Sequence, residues 1–193
     1  MTMTTAPLIG VLALQGASDA HCRMLEQLGA RVRNVRRPAD LDGLDGLILP
    51  GGESTAMLRL MDREGLFEPL RSAVQSLPCL GTCAGTILLA ETVEPAQSSF
   101  AALPITVTRN AYGRQNDSAI LNAQTALDGG PLEMVFIRAP RIDAVGEGVT
   151  VLARRGDDPV LVQKGHTLAC TFHPELGSDP RVHAYFLAQI GHH

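Results

Sequence analysis

Residues 77–90 read LPCLGTCAGTILLA. The apolar run at 78–82 predicts a buried strand, Gly81-Thr82-Cys83-Ala84-Gly85 a tight turn, and residues 84–90 an apolar helix. A strand that turns at once into a helix is the unit of a parallel α/β sheet. The unit recurs upstream. Residues 8–14 (LIGVLAL) form a continuous apolar run, Gly16 reads as a turn, and Ser18 and Asp19 are candidate caps for a helix over 20–29. Residues 30–35 (ARVRNV) predict a second strand, and residues 47–50 (LILP) a third that stops at Pro50-Gly51-Gly52. A helix follows from Glu53 through STAMLRLMDREG, and another covers FEPLRSAVQSL. The first half therefore alternates strand and helix.

The second half changes character. PITVTRN, SAILNAQTAL, EMVFIRAP, TVLARR, PVLVQK and TLACTFHP are short apolar or alternating runs that predict strands with few helices between them. A last helix is expected over 180–190, and Gly129-Gly130-Pro131 reads as a turn. No internal repeat, low-complexity segment or long linker divides the chain, so one domain over residues 1–193 is expected.

Composition narrows the function. Of 193 residues 45% are hydrophobic and 19% charged, and the net charge is −4 without a basic run. This argues against a nucleic-acid surface. No stretch reaches the roughly 20 apolar residues of a membrane span. The start, MTMTTAPLIG, lacks the charged and apolar regions of a secretion signal. The four cysteines, Cys22, Cys79, Cys83 and Cys170, are too scattered for a disulfide scaffold, so reduced thiols and a cytoplasmic location are expected. Cys79 and Cys83 lack the paired ligands of a zinc site, and no metal is expected.

Three motifs carry chemistry. A cysteine on a strand-to-helix turn is thrust out at the carboxyl edge of the sheet, where the helix N-terminus favours a thiolate and offers amides to an oxyanion. Packing of a buried cysteine between close-approach glycines explains Cys83 equally well. His173, in Thr171-Phe172-His173-Pro174-Glu175, follows an apolar strand over 168–171. Such a histidine accepts a thiol proton, and a nearby carboxylate holds its tautomer. A surface loop that happens to hold His and Glu is the plain alternative. In Leu49-Pro50-Gly51-Gly52-Glu53-Ser54, the glycines permit close backbone approach to a ligand, or else form an ordinary turn with Glu53 or Ser54 capping the next helix. Sites of open parallel sheets lie beyond the strands' carboxyl ends, and all three motifs are placed there.

The set GVLALQG, LILPGGEST, GTCAG, RNAYGRQ, FIRAP and FHPEL, in this order, closely resembles the glutaminase-subunit family of pyridoxal 5′-phosphate synthases, a branch of the class I (triad) glutamine amidotransferases. The resemblance covers residues 9–182. It implies a flavodoxin-like three-layer α/β fold with a mainly parallel central sheet. It implies Cys83 as nucleophile, His173 as base and Glu175 as third triad member. Gly52, Glu53, Ser54, Arg109, Ile137 and Arg138 match the family's glutamine-binding positions, and Gln15-Gly16 a segment near the site and the partner contact. The implied reaction is hydrolysis of L-glutamine to L-glutamate and ammonia, without a cofactor in this half. The ammonia would pass to a synthase subunit that makes pyridoxal 5′-phosphate from ribose 5-phosphate and glyceraldehyde 3-phosphate, in an assembly of twelve plus twelve subunits. The rivals are a glutaminase serving another acceptor, a related cysteine hydrolase, and a non-catalytic subunit on the same scaffold. The hydrolases place histidine directly after the nucleophile, where this chain has Ala84.

Overall fold

In the computed structural model, which describes residues 5–111 and 118–192, strands from both halves meet in one seven-stranded sheet, while the strands of PITVTRN, SAILNAQTAL and EMVFIRAP lie in two small separate sheets. The first half supplies β1 (Leu8–Leu12), α1 (Ser18–Gln27), β2 (Arg31–Val35), β3 (Gly46–Leu49), α2 (Ser54–Glu64), α3 (Phe67–Ser76), β4 (Cys79–Thr82) and α4 (Ala84–Leu89). Then come β5 (Ala90–Glu94), β6 (Leu103–Thr108), β7 (Ser118–Ala123), β8 (Leu132–Ile137), β9 (Arg141–Val145), β10 (Thr150–Arg155), β11 (Asp158–Lys164), β12 (Thr167–Cys170) and α5 (Arg181–Ala188). The large sheet runs β10-β11-β12-β4-β3-β1-β2. From β12 to β2 every pair is parallel, and β10 and β11 close one edge antiparallel.

Alternation along the buried strands divides the core. Leu47, Leu49 and Cys79 face Met57 and Met61 of α2, Leu70 and Val74 of α3, and the small sheet β5-β6-β9. Ile9, Val11, Ile48, Leu80 and Leu168 face Leu25 of α1, Phe186 of α5, and the β7-β8 hairpin. Both faces of the central strands are thus covered, which is why their sequences read as unbroken apolar runs.

Several local expectations are corrected. Ser18 and Asp19 do not cap α1: the helix begins at Ser18 behind Ala17, with no side-chain cap hydrogen bond. Asp19 lies instead in the first turn, where the helix dipole favours it. The helix after GTCAG stops at Leu89 because Ala90 opens β5, which pairs with β6. Strand β9 was not expected: RIDAV buries only Ile142, and the strand exists because β6 supplies an antiparallel partner. No helix among the described residues is long and apolar enough to cross a membrane.

Candidate active site

Strands β12, β4 and β3 lie side by side and in register, with Cys170 opposite Thr82 and Gly81 opposite Leu49. Their carboxyl ends deliver His173, Cys83 and Gly51-Gly52 to one place.

Cys83 sits at φ 49°, ψ −107°. That region is sparsely populated for a side-chain-bearing residue and costs on the order of 1–3 kcal/mol. Neighbouring hydrogen bonds hold the turn. The Cys83 N–H donates to the Cys170 carbonyl at 2.9 Å, and the buried Thr86 hydroxyl donates to the same oxygen at 2.6 Å. The flanking glycines are steric requirements. A Cβ on Gly85 would lie 1.8 Å from the Leu49 carbonyl oxygen, and one on Gly81 would lie 2.8 Å from the Gly85 backbone. The cysteine therefore stands between two glycines because α4 rests directly on β3 and β4.

His173 is 8% exposed and Glu175 6%. The His173 backbone N–H donates to the Val135 carbonyl of β8 at 2.7 Å. Its Nδ1 is 2.7 Å from Glu175 Oε1, and the ring also hydrogen-bonds with Cys83. Burial alone would depress the imidazolium. The hydrogen bonds to Cys83 and Glu175, and the charges of those groups, outweigh it and raise the His173 pKa to about 10. The geometry therefore favours a protonated imidazole held between Cys83 and Glu175.

A raised folded-state pKa has a consequence for stability. His173 contributes most below its unfolded value of roughly 6.5, and the contribution is lost as pH rises toward 10. Thermal unfolding should show the melting temperature falling between pH 7 and 9.5. The fall should be shallower in His173→Asn, at about 2–4 °C per kcal/mol for a chain of this size.

Beside the thiol lies a cleft of about 240 Å³ lined by Gly52, Glu53, Ser54, Cys83, Ile87, Arg109, Asn110, Arg138 and Pro140. Five of the six residues matched to glutamine binding, Gly52, Glu53, Ser54, Arg109 and Arg138, line it directly. The sixth, Ile137, places its carbonyl 3.9 Å from the Cys83 sulfur. The Glu53 side chain caps α2, accepting from the Thr55 and Ala56 amides, so it faces the helix, and the Glu53 carbonyl accepts the Met57 N–H at 3.0 Å. Among the described residues Arg109 Nε is buried without a hydrogen-bond partner, and the Arg109 charge helps to lower the Glu53 pKa. Gln15 lies close by: its Oε1 accepts the Glu53 N–H at 2.9 Å. Gly16, at φ 93°, leaves room for the Gly51 carbonyl, which would lie 1.9 Å from a Cβ there. Residues 112–115 of RNAYGRQ lie outside the described residues.

A larger hollow of about 570 Å³ is lined by Arg36, Arg37, Asp40 and Glu64, with none of the cleft residues. Its charges are committed locally: Arg36 Nε donates to the Ala13 carbonyl, and Asp40 accepts from the amides of Arg36 and Arg37.

Sequence reasoning missed four contributors. Gly51 is wedged against the His173 imidazole, since a Cβ there would meet His173 Cε1 at 2.4 Å and Cys83 Cβ at 3.4 Å. Gln97 Oε1 accepts the Ser54 hydroxyl at 3.1 Å. Asn110 and Pro140 complete the cleft wall. Gly51 had a signal in the doubled glycine of PGGES, whereas Gln97 lies in a segment without pattern. Gly51→Ala should displace the imidazole and cut turnover on the order of 100-fold while the chain stays folded. Steady-state kinetics beside thermal unfolding checks this.

The comparisons with known proteins fit this geometry. Residues 11–192 match the model of the SNO glutamine amidotransferase family. The chain belongs to that family. It is 57% identical over 183 residues to the pyridoxal 5′-phosphate synthase subunit PdxT of Koribacter versatilis, covering 94% of this chain and 95% of that protein. It is 50% identical over 192 residues to the subunit of the same name from Corynebacterium jeikeium, covering 95% and 96%. A crystal structure of a glutamine amidotransferase superposes with a TM-score of 0.87 at 46% identity, covering 95% of this chain and 98% of that one. A glutamine amidotransferase of Thermotoga maritima shares the fold at 14% identity, with a TM-score of 0.59 and coverage of 97% and 94%. The α/β fold with its mainly parallel central sheet is the one these structures share.

Proposed function

We propose that this chain is the glutaminase subunit of a pyridoxal 5′-phosphate synthase, with Cys83, His173 and Glu175 as its triad. The observation that carries the reading is the hydrogen-bonded line Cys83–His173–Glu175 at the wall of a cleft that also holds Arg109 and Arg138. Guanidinium groups suit the α-carboxylate of L-glutamine. The Cys83 thiolate attacks the side-chain amide carbon. The N–H of Gly52 and the first amides of α4, which have no intrahelical acceptor, stabilise the oxyanion. The His173 imidazolium gives its proton to the departing ammonia. His173 then takes a proton from water, which cleaves the glutamyl thioester and frees L-glutamate. Glu175 holds the imidazole in the tautomer that faces the sulfur.

The ammonia goes to a synthase subunit that builds pyridoxal 5′-phosphate, so that compound is the complex's product and not a cofactor of this chain. The names of the relatives support this partner. The family resemblance supports an assembly of twelve plus twelve subunits, and the scattered cysteines support a cytoplasmic location. All three triad residue types in contact favour an enzyme over a non-catalytic subunit. The test is glutamate release from L-glutamine with and without a cognate synthase subunit. Turnover that rises on adding the partner is expected. Silence with a demonstrably bound partner would overturn the reading.

A further inference from the structure

Against the Glu175 oxygen that does not meet His173 lies a buried polar chain that the triad chemistry does not use. His21 of α1 and His183 of α5 are both fully buried. His21 Nδ1 is 2.8 Å from His183 Nε2. His21 Nε2 is 3.2 Å from Thr82 Oγ1, at the end of β4, and 3.5 Å from Glu175 Oε2. Among the described residues, Glu175 Oε2 and His183 Nδ1 are buried without a hydrogen-bond partner. A carboxylate oxygen left unpaired in the interior is costly, so what faces it matters.

The protons can be assigned from the network. Burial, then His183, then His173 hold the His21 pKa well below its ordinary value, and burial lowers that of His183 to about 4. Both rings are therefore neutral, with one N–H each. If His21 carried its proton on Nδ1, its Nε2 lone pair would face the Glu175 carboxylate. His183 would then bury an orphan N–H. If His183 Nε2–H donates to His21 Nδ1, the His21 proton lies on Nε2, toward Glu175 Oε2 and Thr82. The group left unpaired is then an acceptor, which interiors tolerate better than a bare donor. The second arrangement is favoured on both counts.

We propose that His21 is a positioning residue of the triad: its Nε2–H, set by His183, is aimed at the free oxygen of Glu175 and holds that carboxylate turned toward His173. At 3.5 Å the contact is a charge–dipole attraction. It becomes a hydrogen bond with a shift of about half an ångström, the kind of tightening that occurs when a substrate complex forms. His21 thereby ties α1 and α5 to the geometry of the base. The inference rests on the glutaminase reading above.

The test compares His21→Met, which removes the N–H at similar volume, with His21→Gln, which restores a side-chain N–H. Each is assayed as the complex with the synthase subunit. In His21→Met, kcat should fall about tenfold to a hundredfold with KM nearly unchanged. A second readout is iodoacetamide alkylation of Cys83 against pH, followed on the Cys83 peptide by mass spectrometry. Without the donor the Glu175 carboxylate is free to turn from His173 and so holds the imidazolium less firmly. The thiolate then forms at higher pH, moving the alkylation midpoint up by about one unit. His21→Gln should recover most of both effects. A folded His21→Met with wild-type kcat and midpoint overturns the proposal, as does equal impairment of the two variants. If His21→Met does not fold, His183→Leu carries the test: a smaller shift in the same direction supports the proposal, and no shift overturns it. Failure of the wild-type complex to release glutamate strikes the glutaminase reading instead, while the alkylation profiles still decide on His21.

Discussion

Cys83→Ala is expected to lower glutamate release by the synthase complex on the order of 10⁴-fold or more, with binding of L-glutamine retained. Removing the nucleophile of a triad costs about as much as removing all its members, because the members act as a unit. The cleft walls remain, since Arg109, Arg138 and Gly52 are held by other elements. A turnover assay with calorimetric titration of glutamine separates the two effects. Stability adds an independent check. Residue 83 lies at φ 49°, where alanine inherits the strain and glycine relieves it. Cys83→Gly should therefore be inactive but more stable than Cys83→Ala by about 1 kcal/mol, read from chemical denaturation. Equal stabilities would contradict the strained turn. Activity surviving in either variant would remove Cys83 from the reaction.

Gly85→Ala is the second large effect. Its new Cβ would sit 1.8 Å from the Leu49 carbonyl oxygen and 2.7 Å from the carbonyl carbon. Both are backbone atoms of a fully buried strand, so no side chain can swing aside. Either α4 lifts from β3 or the sheet opens. The expected loss is about 3 kcal/mol or more, some 6–12 °C in melting temperature, with turnover lost as well because lifting α4 carries Cys83 away from His173. Gly29→Ala is the control. Gly29 adopts φ 87° with nothing within 4 Å of a Cβ, so that change should cost only the conformational penalty of about 1 kcal/mol. Melting curves of the two variants side by side decide whether steric contact sets the identity of residue 85.

These contrasts show what could be read along the chain. The strands at LIGVL, GLIL, CLGT and TLAC were legible because both faces of each are covered, which leaves a continuous apolar run. The three motifs at strand ends were legible because proline, glycine and a polar residue break such runs abruptly. The capping of α1 was misplaced because two neighbouring cap-type residues carry the same local signal. Strand β9 was invisible because an edge strand with one buried side chain has no pattern of its own.

By itself the sequence determined the fold class, the identity of Cys83, His173 and Glu175 as candidates, and the family. The first two follow from local periodicity and short motifs, and the family from the resemblance of six motifs in their order along the chain. Only the tertiary structure decided that β12 inserts beside β4, which brings His173 to Cys83 across 90 positions of chain. It alone showed that the Gly51 backbone is pressed against the imidazole. It alone placed His21 and His183, from opposite ends of the chain, in a line that ends at Glu175. The reason is physical. Hydrophobic patterning records which face of an element is buried, but it does not record which partner buries it. The polar contacts that tune a site are made between such partners.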